Sequence, residues 1–153
     1  MIFEMGQYIT QADIESRIEH AKLVQLTDDA RSGQVNEGVI NAIIADAEGS
    51  FESYARTRYS LPVPATQKVK DLCLAIAVYI LFARRATMKD GILEVKKQMY
   101  DNAIKDLQAI SKGQAALDVP AAEETKTNPA SPDSVLSGPS TPATFSKDNL
   151  KGF

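Results

Sequence analysis

Apolar positions recur at three- and four-residue steps through the first 117 residues, the period of helices with one buried face. Thr10-x-x-Asp13 reads as a helix start, with Thr10 as N-cap and Asp13 near the first-turn amides. Ile14 and Ile18 follow one turn apart. A short helical piece over Ala21 to Leu26 halts at Thr27-Asp28-Asp29, and Gly33 marks the loop beyond it. Asn36 then caps a longer helix, roughly Glu37 to Arg58. Its stripe is Val39, Ile43, Ala47, Phe51 (or Ser50) and Tyr54, widened by Ile40 and Ile44. Gly49 inside that helix costs about 1 kcal/mol relative to Ala and suggests close approach of another helix.

The stretch from Ala55 to Arg85 is the most distinctive. Arg56-Thr-Arg58-Tyr59 runs into Ser60-Leu-Pro62-Val-Pro64, where two prolines forbid helix continuation and push the residues before them toward extended backbone. A central helix is predicted over about Ala65 to Thr87. Lys68, Lys70 and Asp71 stand against Val69, Leu72 and Cys73 in its early half, and the run from Leu72 to Ala83 is apolar on nearly every side. That run is too short for a bilayer, which needs roughly 17–25 residues, and a helix apolar all round is normally buried. The pattern therefore predicts an all-α fold, a small helical bundle around a central buried helix.

Asp90-Gly91 breaks the central helix. A last helix over about Ile92 to Ser111 repeats Val95, Met99, Ala103 (with Ile104), Leu107 and Ile110, with Gly113 and Lys112 suited to its C-terminal end. Leu117 is placed to fold back on the bundle. Beyond it the composition changes, with five of the seven prolines at Pro120, Pro129, Pro132, Pro139 and Pro142 amid Ser, Thr and Ala. Such a segment buries too little apolar surface to offset its ordering entropy. The expected organisation is a helical domain over 1–117, an extended Pro/Ser/Thr-rich linker over 118–144 and a terminal peptide over 145–153. Phe145, Leu150 and Phe153 are apolar anchors in that peptide's polar frame, as in a docking peptide on a tether or a frayed end.

Composition narrows the functional classes. At 153 residues, 44% apolar and 24% charged, the chain fits one soluble globular domain, with no secretory leader and a cytoplasmic origin as the default. A net charge of −3 and a pI near 5.2 argue against a dedicated nucleic-acid binder, while leaving room for a surface past which nucleic acid slides. One cysteine, Cys73, gives neither an internal disulfide nor a metal-ligand pair and reads as a buried, inert thiol. The only histidine, His20, has no second His or Cys near it in sequence. Phosphate loops, nucleophile elbows and zinc-helix motifs do not occur. Glu48 and Glu52, four apart, read as a solvated face. No enzyme activity and no cofactor or metal is expected. Arg56, Arg58, Arg84 and Arg85 cluster at helix ends, where the dipole favours cations; their functional alternative is contact with an acidic protein partner or a phosphate backbone.

Several of these segments, in order, resemble the head–tail connector family of Mu-like phages and prophages. They are Tyr8-Ile9-Thr10 with Asp13, Leu23-Val-Gln-Leu-Thr-Asp28, Val39-Ile-x-x-Ala42 with Ala45 and Ala47, and Tyr54-x-x-x-Arg58-Tyr59-x-Leu61-Pro62. The apolar helix Leu74 to Leu81 closing on Arg84-Arg85 follows, then Tyr100-x-x-Ala103-Ile104-x-x-Leu107, Ile110, Gly113 and Leu117, and the ending Phe145-Ser-Lys-Asp-x-Leu-x-Gly-Phe153. The Arg-Tyr-x-Leu-Pro corner is the most specific of them. The resemblance implies a structural virion protein of the neck. A ring of about twelve copies would sit under the portal protein, extend the DNA channel without sequence-specific binding, and join tail or neck proteins, away from any membrane. Arg56, Arg58, Tyr59, Arg84, Arg85, Phe145, Leu150 and Phe153 are then the candidate partner-binding residues. The competing expectation is a helical adaptor or regulatory protein binding a host or phage protein.

Overall fold

The computed structural model describes residues 6–85 and 91–119. Five helices occur among them, α1 (Gln11–Glu15), α2 (His20–Thr27), α3 (Glu37–Ala55), α4 (Gln67–Ala83) and α5 (Ile92–Ser111), and no strand. They form an all-α bundle. The first of two compact units spans Met1–Pro120; the second, Ala121–Phe153, lies outside the described residues.

Helix α4 is the axis. Val69, Leu72, Cys73, Leu74, Ile76, Ala77, Val78, Leu81 and Phe82 are all buried, so its later half has almost no solvent face. Helices α3 and α5 make its principal walls, and α1 and α2 close the remaining side. Burial, reinforced by the charges of Glu48 and Glu52, pushes the Cys73 thiol well above its ordinary range.

The caps explain where the elements start. Thr10 and Asp13 form a reciprocal capping box on α1. Asn36 Oδ1 accepts from the Val39 amide at 3.2 Å and starts α3. Thr66, not Ala65, caps α4, because its hydroxyl accepts from the Val69 amide and an alanine offers no such acceptor. Helix α4 is thus shorter than its apolar pattern suggests, and the expected extension to Thr87 lies outside the described residues. Helix α3 ends at Ala55 instead of Arg58, its last turn tightened by the Arg58 amide donating to Ala55 O at 3.0 Å.

Two features of α3 differ from the sequence expectation. Its buried stripe is Ile40, Ile43, Ile44, Ala47, Phe51 and Ala55, which leaves Val39 and Tyr54 only half-buried. Gly49 faces open space among the described residues, and none of the described helices approaches it. The close approach is at Gly6, where a Cβ would collide with the Ile44 side chain and the Ile9 carbonyl.

Glu48 and Glu52 are not a solvated face. Glu48 accepts three consecutive backbone amides, from Gln7 at 2.9 Å, Tyr8 at 2.6 Å and Ile9 at 3.0 Å. Glu52 accepts the Tyr8 hydroxyl at 2.8 Å, and the Tyr8 ring meets Phe51 edge-on at 5.1 Å. Burial first, then this bond to Glu52, push the Tyr8 hydroxyl well above its ordinary range. An irregular N-terminal segment cannot satisfy its own amides, and a carboxylate reaching out of α3 does so for it.

Hydrogen bonds to a charged acceptor are worth about 1.5–3 kcal/mol, and stranded amides add a penalty. Glu48→Ala should therefore lower the unfolding free energy by about 2–3 kcal/mol, against less than about 0.5 for Asp46→Ala on the exposed side. Equal midpoints for the two variants in urea unfolding would contradict the clasp.

Candidate assembly interface

The predicted site residues fall into separate groups. Arg56 caps α3, is exposed, and donates from Nε to the Glu52 carbonyl at 3.4 Å. Arg58 is also exposed, and its guanidinium lies where a side chain on Gly113 would stand. Gly113 has φ 76°, and the bonds Gln114 N–H to Ala109 O (2.8 Å) and Gly113 N–H to Ile110 O (3.1 Å) make a Schellman cap on α5. Glycine is required there twice over, for the left-handed backbone and for the space that Arg58 fills.

Tyr59 works within the subunit. Its hydroxyl accepts the Leu117 amide at 2.9 Å, and Lys68 Nζ donates to Ala116 O at 2.9 Å. These bonds hold buried Leu117 against the Tyr59–Pro64 corner, as expected for a segment that folds back. The Leu61–Pro62 peptide in that corner is cis.

Arg84 and Arg85 follow α4 and converge on one carboxylate. Arg84 grips both oxygens of Asp29 and donates to Leu26 O at 3.1 Å. Arg85 donates to Asp29 Oδ1 at 2.8 Å and to Asp28 O at 3.2 Å. These bonds tie the loop after α2 to the end of α4. That loop is organised from within. Asp28 accepts the Ser32 amide at 2.9 Å and the Gly33 amide at 2.6 Å, and the buried Thr27 hydroxyl bridges Leu23 O and the Asn36 amide. Phe145, Leu150 and Phe153 lie outside the described residues.

Two apolar surfaces were not singled out from the sequence. Ile92, Val95 and Met99 on the first half of α5 are 46%, 55% and 45% exposed, although Val95 and Met99 belonged to the expected core stripe. In this first half the inward positions are Leu93 and Tyr100, with Tyr100 stacked on Tyr79 at 4.5 Å, while Ala103, Leu107 and Ile110 in the second half are buried as expected. Across the bundle an open groove of about 410 Å³ is lined by Val39, Ala42, Ile43 and Ile80, with Asp46 and Arg84 at its edges. A smaller pocket of about 150 Å³ lies over Leu74, Ala75, Val78 and Met99, rimmed by the Arg17–Asp71 ion pair (2.8 Å) and by Lys96. Among the described residues no cluster of His, Cys, Asp and Glu could hold a metal ion, and no helix is long and apolar enough to cross a membrane. His20 is exposed at the start of α2.

Fold and surface together describe a small helical bundle in which several polar side chains anchor irregular segments, and whose exposed large apolar side chains are Ile92, Val95 and Met99 among the described residues. The family model described as Bacteriophage Mu, Gp36 matches residues 8–135, so the chain belongs to that family and is a phage protein. No curated protein matches the chain.

Asp28 is held below its ordinary value of 3.8, first by the Ser32 amide, and Asp29 below 3.8, first by its hydrogen bond from Arg84. A depressed carboxyl stabilises the folded state above its unfolded value, and the contribution is lost as pH falls through the folded one. The Ser32 and Gly33 amide resonances should thus hold their positions through neutral and mildly acid pH and shift with a midpoint below 3.8. A midpoint above that value would contradict the assigned bonds.

Proposed function

We propose that this chain is a head–tail connector subunit: a structural protein of the virion neck that joins a ring beneath the portal, extends the DNA channel and presents a surface for tail attachment. The observation that carries this reading is the family match over residues 8–135, which spans the whole described bundle. Its role is assembly, not catalysis. The anchoring of Arg84, Arg85 and Tyr59 within the bundle supports a rigid subunit, and a rigid subunit suits a ring. Exposed Arg56 and Arg58 at the end of α3 remain as the cationic surface for an acidic partner or for passing DNA. A net charge of −3 suits a channel that does not grip DNA, because each neutralised phosphate adds salt-dependent affinity. Phe145, Leu150 and Phe153 are proposed to dock on a neighbouring subunit or on the portal, so that ordering the terminal peptide accompanies attachment.

Native mass of the purified chain, alone and mixed with its candidate portal ring, tests the reading. The expected result is a largely unassembled chain that adds about one copy per portal subunit. A chain that ignores the portal would overturn it and favour a helical adaptor with another partner. Removal of residues 145–153 should leave the circular dichroism and melting temperature of the core unchanged while reducing joined particles in a complementation assay. Normal joining by the truncated chain would remove the docking role from Phe145, Leu150 and Phe153.

A further inference from the structure

Ile92 and Ile110 stand 18 positions apart on α5, five full turns, and so lie on the same side of the helix. Ile110 is 0% exposed and Ile92 46%. Among the described residues, the side of α5 that the bundle covers at one end is left open at the other. The groove of Val39, Ala42, Ile43 and Ile80 is a second apolar feature. The two flank opposite sides of α4. Leu74, Ala75 and Val78, beside Met99, lie roughly half a turn around that helix from Ile80 and Arg84, which border the groove.

We propose that the Ile92–Val95–Met99 face of one copy of this chain docks head-to-tail into the α3–α4 groove of a second copy. Size is compatible: about 150 Å³ of apolar cavity accepts a benzene-sized group, and the groove offers about 410 Å³, room for more than one aliphatic side chain. Charge selects the same partner. Lys96 and Lys97 flank the α5 face, and neither forms an ion pair among the described residues; Lys96 lies over the Phe82 ring at 5.7 Å. Asp46 lines the groove and is also unpaired among the described residues, whereas Arg84, the groove's cation, is already engaged by Asp29. Pairing α5 faces with each other would instead bring Lys96 and Lys97 of two copies together. Because face and groove are different patches, the contact is heterologous, and repeating it generates a ring when the rotation closes.

This proposal rests on the connector reading and names the surfaces that would build its ring. Ala42 and Met99 are both exposed, and the buried Cys73 thiol is protected from alkylating reagents. The full-length chain carrying Ala42→Cys and Met99→Cys, assembled on the portal ring and treated with a short bismaleimide, should give a ladder of covalent oligomers. Each single variant should give none, and an equal mixture of the two singles should give dimers only. Asp46→Lys should reduce the assembled fraction at least tenfold, and Lys97→Asp in the same chain should restore it. Particles of full ring mass without a ladder, or equal cross-linking by Met99→Cys alone, would overturn the proposed contact while leaving the connector standing. Wild-type chain that adds no copies to the portal would overturn both. Circular dichroism of each variant separates lost contact from lost fold.

Discussion

Everything in this bundle answers to one constraint, that α4 must be hidden on almost every side. A helix of that kind cannot be a surface element, and its packing must come from elements drawn from the whole chain. Two long helices cover most of it, but two helices cannot enclose a third. The remaining coverage falls to the short helices α1 and α2 and to irregular backbone at three places: the segment before α1, the loop after α2, and the stretch after α5. Irregular backbone brings unsatisfied amides and carbonyls with it. The fold meets that cost with one polar device at each place, namely the Glu48 carboxylate, the Arg84–Arg85 fork on Asp29, and the Tyr59 hydroxyl with the Lys68 ammonium. The polar side chains that look at first like candidate chemistry are, in large part, the means by which α4 is covered.

That division explains what could be read from the sequence. Helix existence was legible because period and caps agree: Thr10 with Asp13, and Asn36, stand immediately before apolar repeats. Burial of α4 and of Cys73 followed from composition alone. The role of Glu48 was not legible, because its partners lie 39 to 41 residues away and are backbone amides, which leave no mark in the side-chain pattern. The arginines were correctly placed at the end of α4, but a helix dipole says only that a cation is favoured there, not that Asp29 waits 55 residues upstream.

The first half of α5 shows a different limit. Val95 and Met99 form one apolar line, and Leu93 with Tyr100 forms another beside it. Periodicity finds both and cannot say which faces inward. The structure chooses the second, since Tyr100 stacks on Tyr79 and leaves the first line outside. A sequence with two adjacent apolar lines on one helix specifies more apolar surface than one subunit can hide. Here the failure of the simple stripe and the best candidate for an interface are the same residues.

Magnitudes then bear on how such a subunit could assemble under the connector reading. Full burial of one aliphatic side chain contributes about 1.5–3 kcal/mol. Ile92, Val95 and Met99 are each about half-hidden already, so completing their burial adds roughly 2–4 kcal/mol. Association of two proteins costs about 4–15 kcal/mol in lost freedom, so the α5 side of this contact alone does not hold a free pair together. On a template that fixes the copies side by side, the same contact becomes intramolecular and the penalty largely disappears. A face of only this size therefore suits a chain that stays single in solution and closes into a ring only where a symmetric platform holds its copies. A larger apolar face would pair copies, or build open filaments, before any platform was present.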